Sequence, residues 1–311
     1  MASPLVSYCI PAYNAEKTIA RCLGGVLAQG VDDAEIVLID NCSTDRTVEV
    51  AREVLAGRSH VQILVNPSNL GRIGNWNRCL EEARGKYTKF ALTNDVLFGD
   101  ATRHFLHLAE EQADTVMVCS RPRFVDGMPA AVPAMDVPPA PVRRAAVETL
   151  EFFARNGFRT GSLNGMLYRR EPIAEHRLLF REDIPYCADY HQAIELAAHG
   201  SSVFLNTDSY CFNAGVGGRF HYVGMQDPKR FFAEQRDCAV LMTHLLRSIG
   251  GCHRDAFQYL YGQYLWHLGQ GTRLTLGVAY AAFRGKPGLL VPATLKTWRH
   301  NRVQHDRQTR R

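Results

Sequence analysis

The sequence predicts an α/β fold in which a mixed, mostly parallel sheet carries helices on both faces and is followed by a C-terminal helical region. Three observations predict it. Short apolar runs alternate with longer mixed segments through the first 120 residues, the pattern of strands joined by crossover helices. Polar clusters fall directly after those runs, at the carboxyl ends where such sheets take ligands. Of the 311 residues, 46% are hydrophobic and 22% charged, a globular balance that leaves no room for wholesale disorder.

In chain order, residues 5–10 form a buried strand and 15–27 a helix, then 35–40 a second strand and 47–55 a helix. A strand at 61–65 precedes a helix at 74–84, a strand at 87–92, a helix at 101–112 and a strand at 115–119. Five prolines between residues 128 and 142 predict an extended loop rather than a domain linker. A helix at 147–155, a strand at 166–169, a helix at 189–199 and a strand at 202–205 complete the core. Helices at 231–249 and 256–270 follow, and no internal repeat is evident.

Several classes are excluded. No run of 18 apolar residues exists, so no spanning helix is expected. The opening residues lack a basic stretch and a long apolar stretch, so no signal peptide is expected and the chain is read as cytoplasmic. Nine scattered cysteines without a CxxC pair support neither a disulfide framework nor a zinc site. The net charge of +5 resides in residues 296–311. The rest is neutral, which argues against a nucleic-acid face.

Four clusters carry the chemistry. Ile10, Pro11, Ala12, Tyr13 and Asn14 end the first strand, and Ile39, Asp40, Asn41, Cys42, Ser43, Thr44 and Asp45 end the second. Asn69, Gly71, Arg72, Gly74, Asn75, Trp76, Asn77 and Arg78 lead into the third helix, and Leu92, Thr93, Asn94 and Asp95 end the fourth strand. A carboxylate at a strand end, such as Asp40, can accept from a nucleobase N–H or a ribose hydroxyl, or serve as a turn residue. Asp45 suits either a helix cap or a ligand contact. Glycines after Asn69 let backbone approach a ligand, helix N-terminal N–H groups favour phosphate oxygens, and Arg72 adds charge. Equally, Asn75 and Asn77 could cap that helix while Trp76 fills core.

In order and spacing these clusters resemble the family 2 glycosyltransferases of the Rossmann-like GT-A fold, over residues 6–210. The resemblance implies a bacterial surface-glycan enzyme that takes a nucleoside diphosphate sugar, UDP foremost. Its donor would be held by Pro11, Ala12, Tyr13, Asn14, Asp40, Asn41, Ser43, Asn69, Gly71, Arg72, Asn75, Thr93, Asn94 and Asp95. It implies Mg2+ or Mn2+ on Asp95, although the family usually supplies a pair of carboxylates and Asn94 and Val96 flank this single one. A single carboxylate can hold Mg2+ together with phosphates and water, or a basic group such as Arg72 can replace the ion. It implies inverting transfer to a hydroxyl of a glycan or lipid-linked acceptor, with Asp189 as the base that takes the hydroxyl proton. Ala188 stands where the family has Glu. An N-cap role for Asp189 is the plain alternative, with Glu182 and Asp183 as further candidates for the base.

On this reading residues 1–225 are the transferase domain, with 1–120 the donor half and 121–225 the acceptor side, and 226–311 are a helical region with a basic tail. Residues 213–221 form either a mobile loop over the donor or a surface loop. Aromatic and basic residues interleave from Trp266 to Arg299, which suits contact with the inner face of an anionic membrane or a packed subdomain with a solvated tail. Two other readings compete: a relative that binds nucleotide sugar or a partner without catalysis, and a nucleotidyltransferase. The latter is disfavoured by the lack of a Gly-rich basic run after Ile10.

Overall fold

The computed structural model describes residues 3–125, 127, 129–136, 140–157, 162–213 and 227–251. The first half alternates β1 (Val6–Ala12), α1 (Ile19–Leu27), β2 (Ala34–Asp40), α2 (Thr47–Val54), β3 (Val61–Val65), α3 (Gly71–Glu82) and β4 (Tyr87–Phe90). Then come β5 (Val96–Leu97), α4 (Ala101–Glu110), β6 (Thr115–Val125), β7 (Val142–Arg144) and α5 (Ala146–Asn156). A single 3-10 turn at Leu163–Gly165 leads into β8 (Met166–Arg169), α6 (Arg170–Glu175), α7 (Ala188–Ala197), β9 (Ser201–Asn213) and α8 (Pro228–Ser248).

Among the described residues nine strands form one sheet in the order β3-β2-β1-β4-β8-β6-β9-β5, with β7 pairing β9. The βαβ crossovers make β3, β2, β1 and β4 parallel, because a helix returning the chain to the same end of the sheet permits nothing else. β8 then runs antiparallel between β4 and β6, while β6 and β9 pair in parallel. Alternation along β1 covers both faces. Tyr8, Ile10 and Ala12 join Leu23 of α1, Ala51 of α2 and Phe105 of α4 in one apolar core. On the other face the Cys9 thiol donates to the Cys79 carbonyl of α3 at 3.6 Å. Pro11 is tolerated inside the sheet because the β1–β4 ladder has already ended at Cys9.

The structure differs from the sequence expectation mainly in the second half. β6 runs on to Val125 and β9 to Asn213, where only 115–119 and 202–205 were expected. Pro122 and the polar run Asn206, Thr207, Asp208 and Ser209 disguise both strands. The ladder absorbs Pro122 at a register shift beside Arg121, and Ser209 is fully buried against Ser120. The short strands β5 and β7 and the helix α6 carry no periodicity of their own, and sequence patterning does not predict them. α1 starts at Ile19 rather than residue 15, because the Ala15 and Glu16 N–H groups are given to Thr47 and Asp45.

The chain divides into two compact units, residues 1–145 with 160–220, and 146–159 with 221–311. The first contains the whole sheet. In the second, α5 packs on α8, and Leu150, Phe153, Met242 and Leu246 of these helices are buried. Residues 256–311, with the expected last helix, the membrane-contact segment and the basic tail, lie outside the described residues. No described helix is long and apolar enough to cross a membrane, and the eight described cysteines are free thiols.

Lys89, in the middle of β4, is fully buried. Its ammonium donates to the Asn164 carbonyl and, at 3.2 Å, to that of Met166, and lies 4.6 Å from the Phe105 ring centroid. Burial pushes its pKa down from 10.5 to about 7. The unfolded chain therefore holds the extra proton between those two values, and stability rises with pH through that window. From pH 7 to about 8.5, below most thiol titration, unfolding free energy should climb by at most about 1.4 kcal/mol per pH unit. Lys89→Met should remove that climb in urea titrations. Equal slopes in the parent and the variant would show that Lys89 does not cause it.

Candidate active site

The loops that end β1 and β2 are zipped together. Asp40 is buried and accepts the backbone N–H of Ser43 at 2.9 Å and its hydroxyl at 2.5 Å. The Ser43 oxygen in turn accepts the Asn14 N–H at 2.9 Å, and the Asn14 side chain accepts the Thr44 N–H at 2.9 Å. Asn14 and Cys42 sit at φ 46° and 64°, left-handed conformations that these bonds hold in place. Asp45 accepts the N–H of Thr47, the first residue of α2, at 3.0 Å and that of Glu16 at 3.1 Å, so it joins the start of α2 to the other loop, while Arg46 is the N-cap residue. Pro11 and Ala12 are buried strand residues, and Tyr13 is exposed at the edge.

Behind these loops lies a network of amides. The Asn41 side-chain oxygen accepts from Asn66 at 2.8 Å and from the Leu70 N–H at 2.9 Å, while its nitrogen donates to Asn69 at 2.8 Å. Asn69 also accepts the Gly71 N–H at 2.8 Å. Asn66 donates to Asn75 at 3.0 Å, and Asn75 donates to the Ile39 carbonyl at 3.1 Å. α3 thus begins three residues earlier than expected, at Gly71, whose φ of +74° favours glycine. The network absorbs the Leu70 and Gly71 N–H groups. Asn75 and Asn77 lie in the body of α3 and do not cap it. Trp76 is buried, as the core reading required, and the Arg72 guanidinium lies 5.0 Å from its ring centroid.

Asp95 follows a tight turn in which its own N–H donates to the Leu92 carbonyl at 3.0 Å, with Thr93 half-buried and Asn94 exposed. The Asp95 carboxylate is buried and accepts the Asn164 amide at 2.5 Å and the Asn213 N–H at 3.1 Å. Asn164 also accepts the Leu92 N–H at 2.7 Å. Burial pushes the Asp95 pKa up to about 7 against these two donors. Among the described residues no Lys, Arg or His pairs with this carboxylate, and no group of three His, Cys, Asp or Glu side chains forms a cation cage.

Asp189 sits in the first turn of α7 and accepts the Tyr190 N–H at 2.9 Å. Burial raises it above the ordinary carboxylate range, with the Arg72 charge opposing. Glu182 and Asp183, the other candidates for the base, are exposed, and Arg181 holds Asp183 at 2.5 Å. Tyr210 of β9 is buried, and its oxygen accepts from the Ser162 N–H at 2.9 Å and hydroxyl at 3.0 Å. Burial raises the phenol, and the charges of Asp95 and Asp189 add to the rise. Asn66, Asn164 and Tyr210 escaped the sequence reading, because a single amide or phenol beside an apolar run carries no spacing signal. Of the expected donor-covering loop, only Asn213 lies within the described residues.

Asn66 is nearly fully buried and bridges Asn41, Asn75 and Arg78. Asn66→Ala orphans the Asn75 oxygen and should cost about 2 kcal/mol in denaturant unfolding. A variant as stable as the parent would show that the network does not hold these loops.

The family model described as Glycosyl transferase family 2 matches residues 7–176. Among curated proteins, the chain is 26% identical over 187 residues to Uncharacterized glycosyltransferase EpsJ of Bacillus subtilis (strain 168), a match covering 60% of this chain and 54% of that protein. The chain thus spans about half the length of that relative. Among solved structures, S. aureus TarS 1-349 in complex with UDP-GlcNAc aligns with a TM-score of 0.65 at 17% identity, over 89% of this chain and 78% of that one. Mannosyltransferase PcManGT from Pyrobaculum calidifontis, in complex with GDP-Man and Mn2+, aligns with a TM-score of 0.56 at 14% identity, over 96% and 88% of the two chains. At such identities the likeness is one of fold, the GT-A arrangement of sheet and helices. With a family match over more than half of its length, the chain belongs to glycosyl transferase family 2.

Proposed function

We propose that the chain transfers a sugar from a nucleoside diphosphate sugar to a hydroxyl of a glycan or lipid-linked acceptor, with inversion at the anomeric carbon. One observation carries the reading: Asp95, a carboxylate buried after β4 and held by the Asn164 amide and the Asn213 N–H, has no cation partner among the described residues, and a second carboxylate, Asp189, stands in the first turn of α7. An inverting transfer divides its work in that way, with one carboxylate beside the leaving diphosphate and one beside the attacking hydroxyl. Asp189 takes the hydroxyl proton as the acceptor oxygen bonds to the anomeric carbon. The bond from that carbon to the diphosphate oxygen breaks, and its electron pair leaves with the diphosphate. A base raised by burial is better matched to neutral pH than an ordinary aspartate.

On the donor side, Asp40 keeps lone pairs beyond its Ser43 bonds for a base N–H or ribose hydroxyl. Pro11, Ala12 and Tyr13 wall the base, and Asn14 and Ser43 fix the loop beside it. Asn41, Asn69, Gly71 and Asn75 shape the approach to α3 through the amide network. Thr93 and Asn94 flank the sugar, and the Arg72 N–H groups that do not reach Pro185 face the diphosphate. A metal at Asp95 belongs to the same proposal: the carboxylate, oriented by the Asn164 amide and the Asn213 N–H, would hold Mg2+ or Mn2+ through lone pairs those donors leave, with phosphate oxygens and water as the remaining ligands. Bound there, the ion supplies charge neutralisation for the departing diphosphate. UDP is the first candidate base and GDP the second. Action at the cytoplasmic face of a membrane, through the basic and aromatic residues after 266, belongs to the same proposal, as does a domain boundary near residue 225.

The test is nucleoside diphosphate release from UDP-GlcNAc, UDP-glucose and GDP-mannose by the full chain, with and without Mn2+ and with water as the acceptor. One donor should turn over. Asp189→Asn should slow release by roughly 10²- to 10⁴-fold while calorimetric nucleotide binding persists. Nucleotide binding without turnover of any donor would favour the binding-only relative. Turnover indifferent to Asp189→Asn would remove the base.

A further inference from the structure

Residues 176–187 connect α6 to α7 without a helix or strand of their own, and they lead into the first turn of α7, where Asp189 lies. An irregular segment defines a carboxylate position only if something else fixes its backbone. Part of that constraint comes from α7, whose Gln192 amide donates to the Leu178 carbonyl at 2.8 Å, and the rest comes from α3. The Asn77 amide donates to the Phe180 carbonyl at 2.8 Å and accepts the Phe180 N–H at 2.8 Å, so one side chain satisfies both backbone groups of one residue. The Phe180 ring is buried edge-on between Trp76 at 5.4 Å and Phe90 at 5.7 Å. One helical turn before Trp76, Arg72 spans to the Pro185 carbonyl. Two backbone points five residues apart are therefore held from a single helix.

We propose that Asn77 and Arg72 are positioning residues for Asp189: by gripping the chain at Phe180 and Pro185 they hold the base segment against the donor half of the sheet. The proposal rests on the reading of Asp189 as the base. It gives Arg72 a second role, distinct from contact with the diphosphate. The charged and titratable groups facing Asp189 are Arg72 from α3, Tyr168 from β8 and Tyr210 from β9. Both phenols are raised by burial and stay neutral, so Arg72 is the one of the three that contributes charge.

Hydrogen exchange and turnover separate the grip from its purpose. In the full chain, Asn77→Ala should speed amide exchange across residues 178–189 by about tenfold, as losing one or two hydrogen bonds does, with no change across 34–45. With the donor that turns over fastest among UDP-GlcNAc, UDP-glucose and GDP-mannose, kcat should fall by about tenfold or more, at a nearly unchanged KM. Arg72→Ala removes the charge that opposes the rise of Asp189, so the acidic limb of the kcat profile should move to higher pH. Arg72→Lys should move it back.

Unchanged exchange across 178–189 in both variants would overturn the grip. Faster exchange with unaltered kcat would overturn its purpose. A loss of nucleotide affinity that matches the loss of kcat would return Arg72 to the diphosphate alone. If Asn77→Ala does not fold, Arg72→Ala, at an exposed side chain, carries the same comparison. If exchange responds while wild-type turnover ignores Asp189→Asn, the grip stands and the base assignment fails, which separates the two failures.

Discussion

A carboxylate taken out of water sets the terms for this fold. Asp95 is buried, without a cation partner among the described residues, and two amide donors hold it. Those donors come from chain segments far from it in sequence, Asn164 before β8 and Asn213 at the end of β9. Placing both beside one carboxylate requires two antiparallel pairings, β4 with β8 and β5 with β9. The parallel half of the sheet could form without either. The change of direction at β4 is therefore the feature that brings Asn164 to Asp95. Lys89 lies behind it, holding the Asn164 carbonyl from within the core. A fully buried ammonium is costly to desolvate, and its place in this sheet is to fix the residue that fixes Asp95.

The two sides of the site are made rigid by different means. At the ends of β1 and β2, side chains bond to neighbouring loops: Asp40 to Ser43, Ser43 to Asn14, Asn41 to Asn66 and Asn69. Each bond contributes modestly, but leaving any buried amide unpaired costs more than the bond itself contributes. The network is thus satisfied in one arrangement and penalised in others. Before α7 the backbone is irregular from Leu178 to Cys187, and order is imposed by a ring packed between two rings and by side chains reaching in from α3 and from Gln192 of α7.

The parallel half was legible in the sequence because each of its elements follows an elementary rule. Buried parallel strands are continuous apolar runs, so β2 and β3 were delimited almost to the residue, and β8, a short apolar run between turn residues, was delimited to the residue. The ends of β6 and β9 were hidden because their outward and inter-strand positions are polar. Ser120, Thr207 and Ser209 are buried by pairing with one another's strands, which no local pattern encodes. Asp40, Asp95 and Asp189 were legible as carboxylates at the carboxyl ends of strands and the start of a helix. Asn164 was not, because its importance comes wholly from the antiparallel return of β8. The amides at 41, 69 and 75 were read as ligand contacts. Their hydrogen bonds run within the chain, a distinction that depends on partners up to 63 positions away.

α3 is where these constraints meet. Within six residues it presents Arg72 to Pro185, Asn75 to the ends of β1 and β2, Trp76 to Phe180, and Asn77 to the Phe180 backbone. Consecutive positions on a helix point about 100° apart, so a single short helix can address the ends of β1 and β2 with one residue and the segment before α7 with its neighbours. No other described element has side chains bonded to both. The relative placement of Asp40 and Asp189 is then set through the body of one regular helix, whose internal hydrogen bonds resist bending. Its orientation is fixed at its start by the left-handed Gly71 and the Asn69 bond. A shift at that start would be felt on both sides at once, so the loop from 66 to 71 has to be at least as well ordered as the site it serves. The concentration of buried and satisfied amides there is the physical form that order takes.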